Sequence, residues 1–188
     1  MNIEKTSIND LIVLKPDVFA DDRGYFFEAF NQKKFAENGL NYNFVQDNES
    51  KSQFGVVRGL HFQNGSNAQA KLVRVLQGLV YDVAVDLRRN SPTYGKWFGI
   101  ELSDENKYQL LIPRGFAHGF SVLSEMAVFS YKCDNYYHKE SERGIIYNDS
   151  QLNIDWKLKN KDIVLSDKDR MLPSFSKSEH NFIQYDEQ

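Results

Sequence analysis

The segment from Arg58 to His61 places a cation and an imidazole three residues apart, with Gly59 between them. A guanidinium can bind an anion and an imidazole can exchange a proton near neutral pH, so the pair predicts acid–base chemistry on an anionic substrate. Taken alone the signal is weak, because a single histidine on a strand is more often a hydrogen-bonded structural residue. It gains weight from side chains of suitable type later in the chain: Lys71, His118, Tyr131 and Asp169.

The elements that must position these side chains are predicted to be β-strands. Alternation in the stretch 79–87 places Tyr81 and Val83 on one face and Asp82 and Asp86 on the other. Further short apolar runs, separated by turn-forming residues, lie at 56–63, 71–76, 97–102, 108–112, 119–123 and 127–133. Many short strands with turns between them favour an all-β sandwich or barrel.

One short helix is predicted at about 32–38. Asn31 can cap its start, Phe30 and Phe35 occupy the positions of a hydrophobic staple, and Gly39 can end it.

Length and charge limit the possible functions. With 188 residues, we expect a single domain over residues 1–175 followed by a loosely held polar tail at 176–188. The net charge of -3 argues against a nucleic-acid-binding surface, so an anionic ligand must be bound by a local cluster of Arg and Lys. The apolar run 11–14 is too short for a signal peptide or a membrane span. With Cys133 as the only cysteine, interpreted as a surface thiol, we expect a cytoplasmic protein without a membrane partner.

The candidate residues belong to an ordered series of segments at 22–28, 46–48, 57–63, 71–74, 112–120, 131–132, 135–137 and 165–169. This series resembles the dTDP-4-dehydrorhamnose 3,5-epimerase family, and the match runs from about residue 2 to about residue 173. The resemblance implies a cupin-type jelly roll (a double-stranded β-helix) with a few short helices, a homodimer, and no cofactor. It further implies inversion at C3 and C5 of a dTDP-linked 4-keto-6-deoxy sugar, in the synthesis of dTDP-L-rhamnose.

The resemblance also implies roles for single residues. His61 would be the base, Asp169 would complete its dyad, Lys71 would face the oxyanion at C4, and Tyr131 would be the acid on the opposite ring face. A proton beside a ketone leaves only if the enolate is stabilised, and one preorganised donor contributes roughly 2.7–4 kcal/mol to lowering that barrier. The implied substrate-binding residues are Arg23, Glu28, Gln46, Asp47, Asn48, Arg58, His118, Tyr137, Glu142 and Lys168.

Arg23 and Arg58 suit the pyrophosphate of such a substrate, since guanidinium groups bind phosphates bidentately. The N-terminal region is expected to reach the partner chain's site.

Several candidates have simpler structural interpretations. Lys71 could be a strand-edge lysine on a solvated face, and Tyr131 could be a half-buried core aromatic. His118 could be a core histidine hydrogen-bonded to Asp82. The segment 46–48 on its own reads as a polar turn.

Two carboxylates compete with the selected ones. Asp167 competes with Asp169, which the family pattern favours, and Glu140 competes with Glu142 because the proline common in the family is missing before them. The family also usually has Trp where this chain has Tyr147. The nucleotide end of the site is therefore predicted less sharply than the reaction centre.

No metal site is predicted. The chain has four histidines, without a His-x-His pair or a matching Glu at cupin spacing, and His138 and His180 are expected to be solvated. Two rival functions remain open. One is a single-site epimerase or a 3,4-ketoisomerase, and the other is a non-catalytic cupin that only binds sugars.

The spacing of Arg58 and His61 leads to a backbone prediction. In a regular strand the two side chains point to opposite faces, so they cannot both enter one cavity. If both serve the substrate, Gly59 must mark a bulge or a sharp twist.

Overall fold

The computed structural model describes residues 1–183, and two antiparallel sheets dominate it. The first sheet, in spatial order, consists of β1 (Asn2–Lys5), β2 (Ile12–Lys15), β10 (Gln109–Ile112), β7 (Lys71–Gln77), β12 (Met126–Cys133) and β5 (Gln46–Gln53). The second consists of β13 (Glu142–Gly144), β6 (Val57–Gln63), β11 (Phe116–Val122), β8 (Leu79–Asp86) and β9 (Trp97–Ser103). The chain is a cupin-type jelly roll, so the predicted fold class is confirmed.

Smaller elements complete the fold. The strands β3 (Phe19–Asp21) and β4 (Gly24–Phe26) form a separate hairpin, and the helices are α1 (Gln32–Glu37) and α2 (Asp167–Arg170). Short 3₁₀ turns cover Gly65–Asn67, Lys139–Ser141, Asn160–Asp162 and Phe175–Lys177. Within residues 1–183, no helix is long and apolar enough to cross a membrane.

The α1 helix forms where the capping signals predicted it. The Asn31 side chain accepts a hydrogen bond from the backbone N–H of Lys34, and the Phe30 and Phe35 rings pack with centroids 4.8 Å apart. Gly39, just after the helix, has φ +77°. The helix and the loop after it cover the outer face of the first sheet.

The main core lies between the two sheets, where Val73 and Val75 of the first pack with Val80 and Ala84 of the second. Alternation in β8 directs Val83 and its neighbours of the same parity to the opposite face, as predicted. That outer face is covered by the C-terminal segment from Ile145 onwards. The strand β8 is therefore buried on both faces.

The C-terminal segment packs more closely than its polarity predicted. His180 is 5% exposed, its ring nitrogen lies 2.7 Å from the Tyr94 hydroxyl, and Phe182 packs against the outer face of the second sheet. The expectations of a loose tail and a solvated His180 are therefore wrong for residues 176–183. The remainder of the predicted tail, 184–188, lies outside the described residues.

Candidate active site

A cleft of about 350 Å³ opens between the two sheets and brings most of the predicted site residues together. The predicted residues that line it are Asn48, Arg58, His61, Lys71, His118, Tyr131, Lys168 and Asp169. An adjoining cavity of about 140 Å³ shares four of these residues and adds Gln46, Tyr137 and Glu142. The reaction-centre candidates therefore converge within a single chain.

His61 and Asp169 form a dyad at the second sheet. The Nε2 atom of His61 lies 2.5 Å from Oδ1 of Asp169, and the Asp169 side chain is 6% exposed. Burial raises the pKa of Asp169, but the hydrogen bonds to His61 and from Ser166 outweigh this and hold the pKa below its ordinary value. The carboxylate is therefore ionised, and with the imidazole proton on Nε2 the lone pair lies on Nδ1.

The predicted bulge at Gly59 is present. The register between β6 and β11 pairs His61 with His118 but Arg58 with Phe120, so β6 carries one extra residue. Gly59 has φ +114°, and a Cβ there would lie 2.6 Å from the backbone of His118 and Gly119. The bulge lets both Arg58 and His61 line the cleft, and only glycine fits its tightest position.

His118 is paired with Asp82, as its structural interpretation proposed, and it also lines the cleft. Its Nε2 atom lies 3.1 and 2.9 Å from the two carboxylate oxygens of Asp82, whose side chain is completely buried. Burial lowers the pKa of His118, and the nearby Lys71 and His61 lower it further against the opposing effect of Asp82. His118 is therefore a neutral imidazole fixed in one orientation.

Lys71 points into the cleft from β7, so the alternative of a solvated edge lysine is wrong. It has the same parity as Val73 and Val75, which lie in the main core. Burial lowers the pKa of Lys71 despite the negative groups nearby, and the side chain has no salt-bridge partner within residues 1–183. Its Nζ atom lies 5.8 Å from the centre of the Tyr131 ring.

Tyr131 enters the cleft from β12 of the first sheet, whereas His61 enters it from β6 of the second sheet. Burial raises the pKa of Tyr131, with a further increase from Cys133 and a decrease from Arg58. The phenol therefore stays protonated at neutral pH and can donate a proton. Cys133 itself is 1% exposed, with a pKa raised to about 11 by burial, so the expected surface thiol is wrong.

Polar contacts organise the mouth of the cleft. Glu142 accepts a hydrogen bond from the Tyr137 hydroxyl at 2.9 Å and pairs with Lys168 Nζ at 2.6 Å. Gln46 accepts from the Tyr137 backbone N–H at 3.0 Å and donates to Asn48. Glu140 is exposed and lines neither cavity, so the geometry favours Glu142 over this rival.

Three predicted binding residues lie outside both cavities of this chain. Arg23 is on the exposed β3–β4 hairpin and pairs with Asp21, while Glu28 pairs with Lys34. Asp47 has the opposite parity to Gln46 and Asn48 on β5 and pairs with Lys132 on the outer face. Asp47 therefore lies outside both cavities, and its binding role stays a prediction.

Sequence reasoning missed serines that position the charged groups. Ser52, on β5, accepts a hydrogen bond from Arg58 Nε at 3.0 Å. Ser166 contacts the backbone and the carboxylate of Asp169. A strand assignment of 46–53 would have placed Ser52 on the face of Asn48, and the spacing of Ser166 and Asp169 is that of a capping box.

Metal ligands do not cluster at the cleft. Within residues 1–183, no group of three or more His, Cys, Asp or Glu side chains could hold a metal ion. The absence of a metal from the reaction stays a prediction.

Comparison with known proteins gives the same family from sequence and from fold. The family model for dTDP-4-dehydrorhamnose 3,5-epimerase matches residues 5–177. The dTDP-4-dehydrorhamnose 3,5-epimerase of Shigella flexneri is 56% identical, over 90% of this chain and 93% of its own length. The crystal structure of the Elizabethkingia anophelis dTDP-4-dehydrorhamnose 3,5-epimerase matches with a TM-score of 0.90 and 60% identity, over 94% of this chain and 97% of that one.

A ligand-bound structure is among the relatives. The dTDP-6-deoxy-D-glucose-3,5-epimerase of Legionella pneumophila, in complex with dTDP-4-keto-L-rhamnose, matches with a TM-score of 0.90 and 52% identity, over 94% of this chain and 93% of that one. The match to the family model, over residues 5–177, includes every residue that lines the cleft. This chain therefore belongs to the dTDP-4-dehydrorhamnose 3,5-epimerase family.

Proposed function

We propose that the chain inverts C3 and C5 of dTDP-4-dehydro-6-deoxy-D-glucose to give dTDP-4-dehydro-L-rhamnose. One observation carries the proposal: His61, paired with Asp169, and the Tyr131 phenol line the same cleft from opposite sheets. Inversion at a carbon beside a ketone removes a proton from one face of the ring and adds a proton to the other. A base and an acid on opposite walls meet that requirement.

In the first step, Nδ1 of His61 takes the proton from the substrate carbon. The electrons of the broken C–H bond form the enolate double bond, and the ketone oxygen at C4 becomes negative. Asp169 holds the imidazole in the correct tautomer and stabilises the imidazolium that forms. Its carboxylate is ionised in the resting protein, because its pKa is held below the ordinary value by its hydrogen bonds despite burial.

Lys71 is the group placed to stabilise the enolate. Its amine lacks a carboxylate partner within residues 1–183, and a lowered pKa makes its ammonium a better hydrogen-bond donor to an oxyanion. Tyr131 then gives its phenolic proton to the carbon from the other side. His61 and Tyr131 return to their starting states by exchange with solvent, and the sequence repeats at the second carbon beside C4.

The nucleotide end of the substrate fits the polar mouth of the cleft. Arg58 is exposed there, with Nε bound to Ser52 and its remaining N–H groups available for the pyrophosphate. Gln46, Asn48, Tyr137, Glu142 and Lys168 surround the adjoining cavity or the cleft itself and would hold the nucleotide. His118 would hold the sugar by accepting a hydrogen bond from one of its hydroxyls.

A homodimer would explain the predicted binding residues that lie away from the cleft. Arg23 and Glu28 are exposed, and the hairpin beside them presents Phe19 and Phe26 at 67% and 70% exposure. An apolar hairpin that carries a cation is suited to docking against a second copy near its anion site. We place this enzyme in the cytoplasm and without a nucleic-acid partner on its net charge of -3 and its single buried cysteine. The absence of a cofactor and of a membrane partner is expected from the family.

Incubation with dTDP-4-keto-6-deoxyglucose in deuterated water tests the proposal. Double epimerisation must introduce deuterium at both C3 and C5 of the product, which NMR resolves. Label at C3 alone or C5 alone would instead identify a single-site epimerase, and migration of the ketone would identify a ketoisomerase. Binding of the nucleotide sugar without any exchange would identify a sugar-binding module.

A further inference from the structure

Ser166 lies at the start of the short α2 helix, three residues before Asp169. Its Oγ atom accepts a hydrogen bond from the backbone N–H of Asp169 at 3.1 Å and donates to Oδ2 of the same residue at 2.9 Å. The other carboxylate oxygen, Oδ1, binds His61. One hydroxyl therefore fixes both the backbone and the carboxylate of the dyad acid.

The segment that carries Ser166 is tied to the strand that carries His61. Val164 donates its N–H to the carbonyl of Gly55 at 2.9 Å and accepts the N–H of Val57 at 3.0 Å. These bonds set the distance between the two segments, but they leave the Asp169 side chain free to rotate. The Ser166 hydroxyl removes that freedom inside a site where Asp169 is 4% exposed.

We propose that Ser166 is a positioning residue for proton transfer, holding Asp169 in the rotamer that orients His61. The proposal rests on the proposed epimerase function. Without the hydroxyl, Oδ2 loses a hydrogen bond in a buried position, and the carboxylate can turn away from the imidazole. The Ser166 hydroxyl also donates a hydrogen bond to the Asp169 carboxylate and so stabilises its negative charge. Without this hydroxyl, the His61–Asp169 dyad should keep its proton to higher pH.

The test is Ser166→Ala, assayed by turnover of dTDP-4-keto-6-deoxyglucose. We expect kcat to fall about 10- to 100-fold, as for loss of a hydrogen bond to a charged group, with KM and the Kd for dTDP unchanged. The acidic limb of the pH–rate profile should move to higher pH, and Ser166→Thr, which keeps a hydroxyl, should restore most of the activity. In an Asp169→Asn background the same substitution should have no further effect, since the two residues act as one unit.

Two further variants separate positioning from folding. Glycine is nearly as good as serine at a helix start, so Ser166→Gly removes the hydroxyl at little cost in stability and must show the same loss of kcat. Ser174→Ala is the matched control, because Ser174 precedes the next 3₁₀ turn without capping it by its side chain.

Wild-type kcat and an unmoved pH profile in folded Ser166→Gly would overturn the role of Ser166 while leaving the epimerase proposal intact. Absence of turnover in the wild-type protein would overturn both.

Discussion

Two histidine–aspartate pairs lie side by side in the cleft, and they are built differently. His61 and His118 are direct partners across β6 and β11, and each uses Nε2 to contact a carboxylate. The His61 side chain is 28% exposed and the His118 side chain 7% exposed. The same two residue types therefore produce one pair that is open to the cleft and one that is almost closed.

The carboxylates differ as much as the rings do. Asp82 lies in the sheet, with both oxygens within hydrogen-bond distance of the one His118 nitrogen. Asp169 comes from a separate C-terminal helix and divides its oxygens between His61 and Ser166. A pair within one sheet is suited to holding a ring still, whereas a pair assembled from two segments leaves one ring edge open to substrate. Residue type alone does not decide which histidine is the base.

The sharpest test of this comparison is to remove each ring in turn. His61→Asn should lower kcat by about 10²- to 10⁴-fold, the usual contribution of a general base, while the Kd for dTDP stays near the wild-type value. His118→Asn should raise KM by about 2- to 10-fold with a small change in kcat, since it removes one neutral hydrogen bond to substrate. Steady-state kinetics with calorimetric dTDP binding measures both. Equal losses of kcat in the two variants would contradict the assignment of His61 as the base and His118 as a binding residue.

Much of this arrangement could be predicted from the sequence, because the signals are local. Alternation located β8 and its two faces, the capping residues located α1, and the parity conflict between Arg58 and His61 predicted the bulge at Gly59. Each of these follows from residues within one element. Local chemistry therefore sufficed for this strand, this helix and this bulge, whereas the assignment of His61 as the base rests on the family resemblance and stays a prediction.

The failures concern contacts between distant segments. The segment 46–48, which on its own reads as a polar turn, begins the strand β5. All residues of β5 are polar, and it is an edge strand with the cleft on one face and solvent on the other. Cys133 and His180 are buried, against expectation. Their burial depends on elements far away in the chain, so the neighbouring residues do not indicate it. Arg23 and Glu28 lie outside both cavities of this chain, so their predicted binding role depends on the proposed homodimer.

Exchanging the two acids for amides should separate stability from turnover. Asp169→Asn should lower kcat by about 10²-fold or more, because the imidazole loses its tautomer control and its charge partner. Asp82→Asn should lower the free energy of unfolding by about 1–3 kcal/mol, since it leaves an imperfectly bonded amide at a completely buried position. Urea unfolding and steady-state kinetics on the same samples measure both. If kcat fell more in Asp82→Asn than in Asp169→Asn, the assignment of proton transfer to the His61–Asp169 pair would be wrong.

The smallest expected effect is on the pH dependence of stability. Burial lowers the pKa of His118, so at a pH below the ordinary imidazole value the unfolded chain binds a proton that the folded chain does not. The free energy of unfolding should therefore fall as the pH drops from about 7.5 to about 5.5, through the reference imidazole pKa of about 6.5. His180, whose pKa burial also lowers, contributes in the same direction and is common to all variants compared. Asp169 is excluded from this window, because a lowered carboxyl pKa costs stability only at lower pH.

Urea midpoints at the two pH values measure the difference, with an unchanged m-value as the sign that only stability has changed. In His118→Asn the free energy of unfolding should fall less between pH 7.5 and 5.5 than in the wild-type protein. His138→Asn, at an exposed position, is the matched control, and its free energy of unfolding should fall as much as that of the wild type. If His118→Asn keeps the full pH dependence, His118 accepts its proton as readily in the folded state as in the unfolded one. The His118–Asp82 pair would then not hold its ring in the neutral form. The contrast between the two pairs would reduce to how exposed the His61 and His118 side chains are.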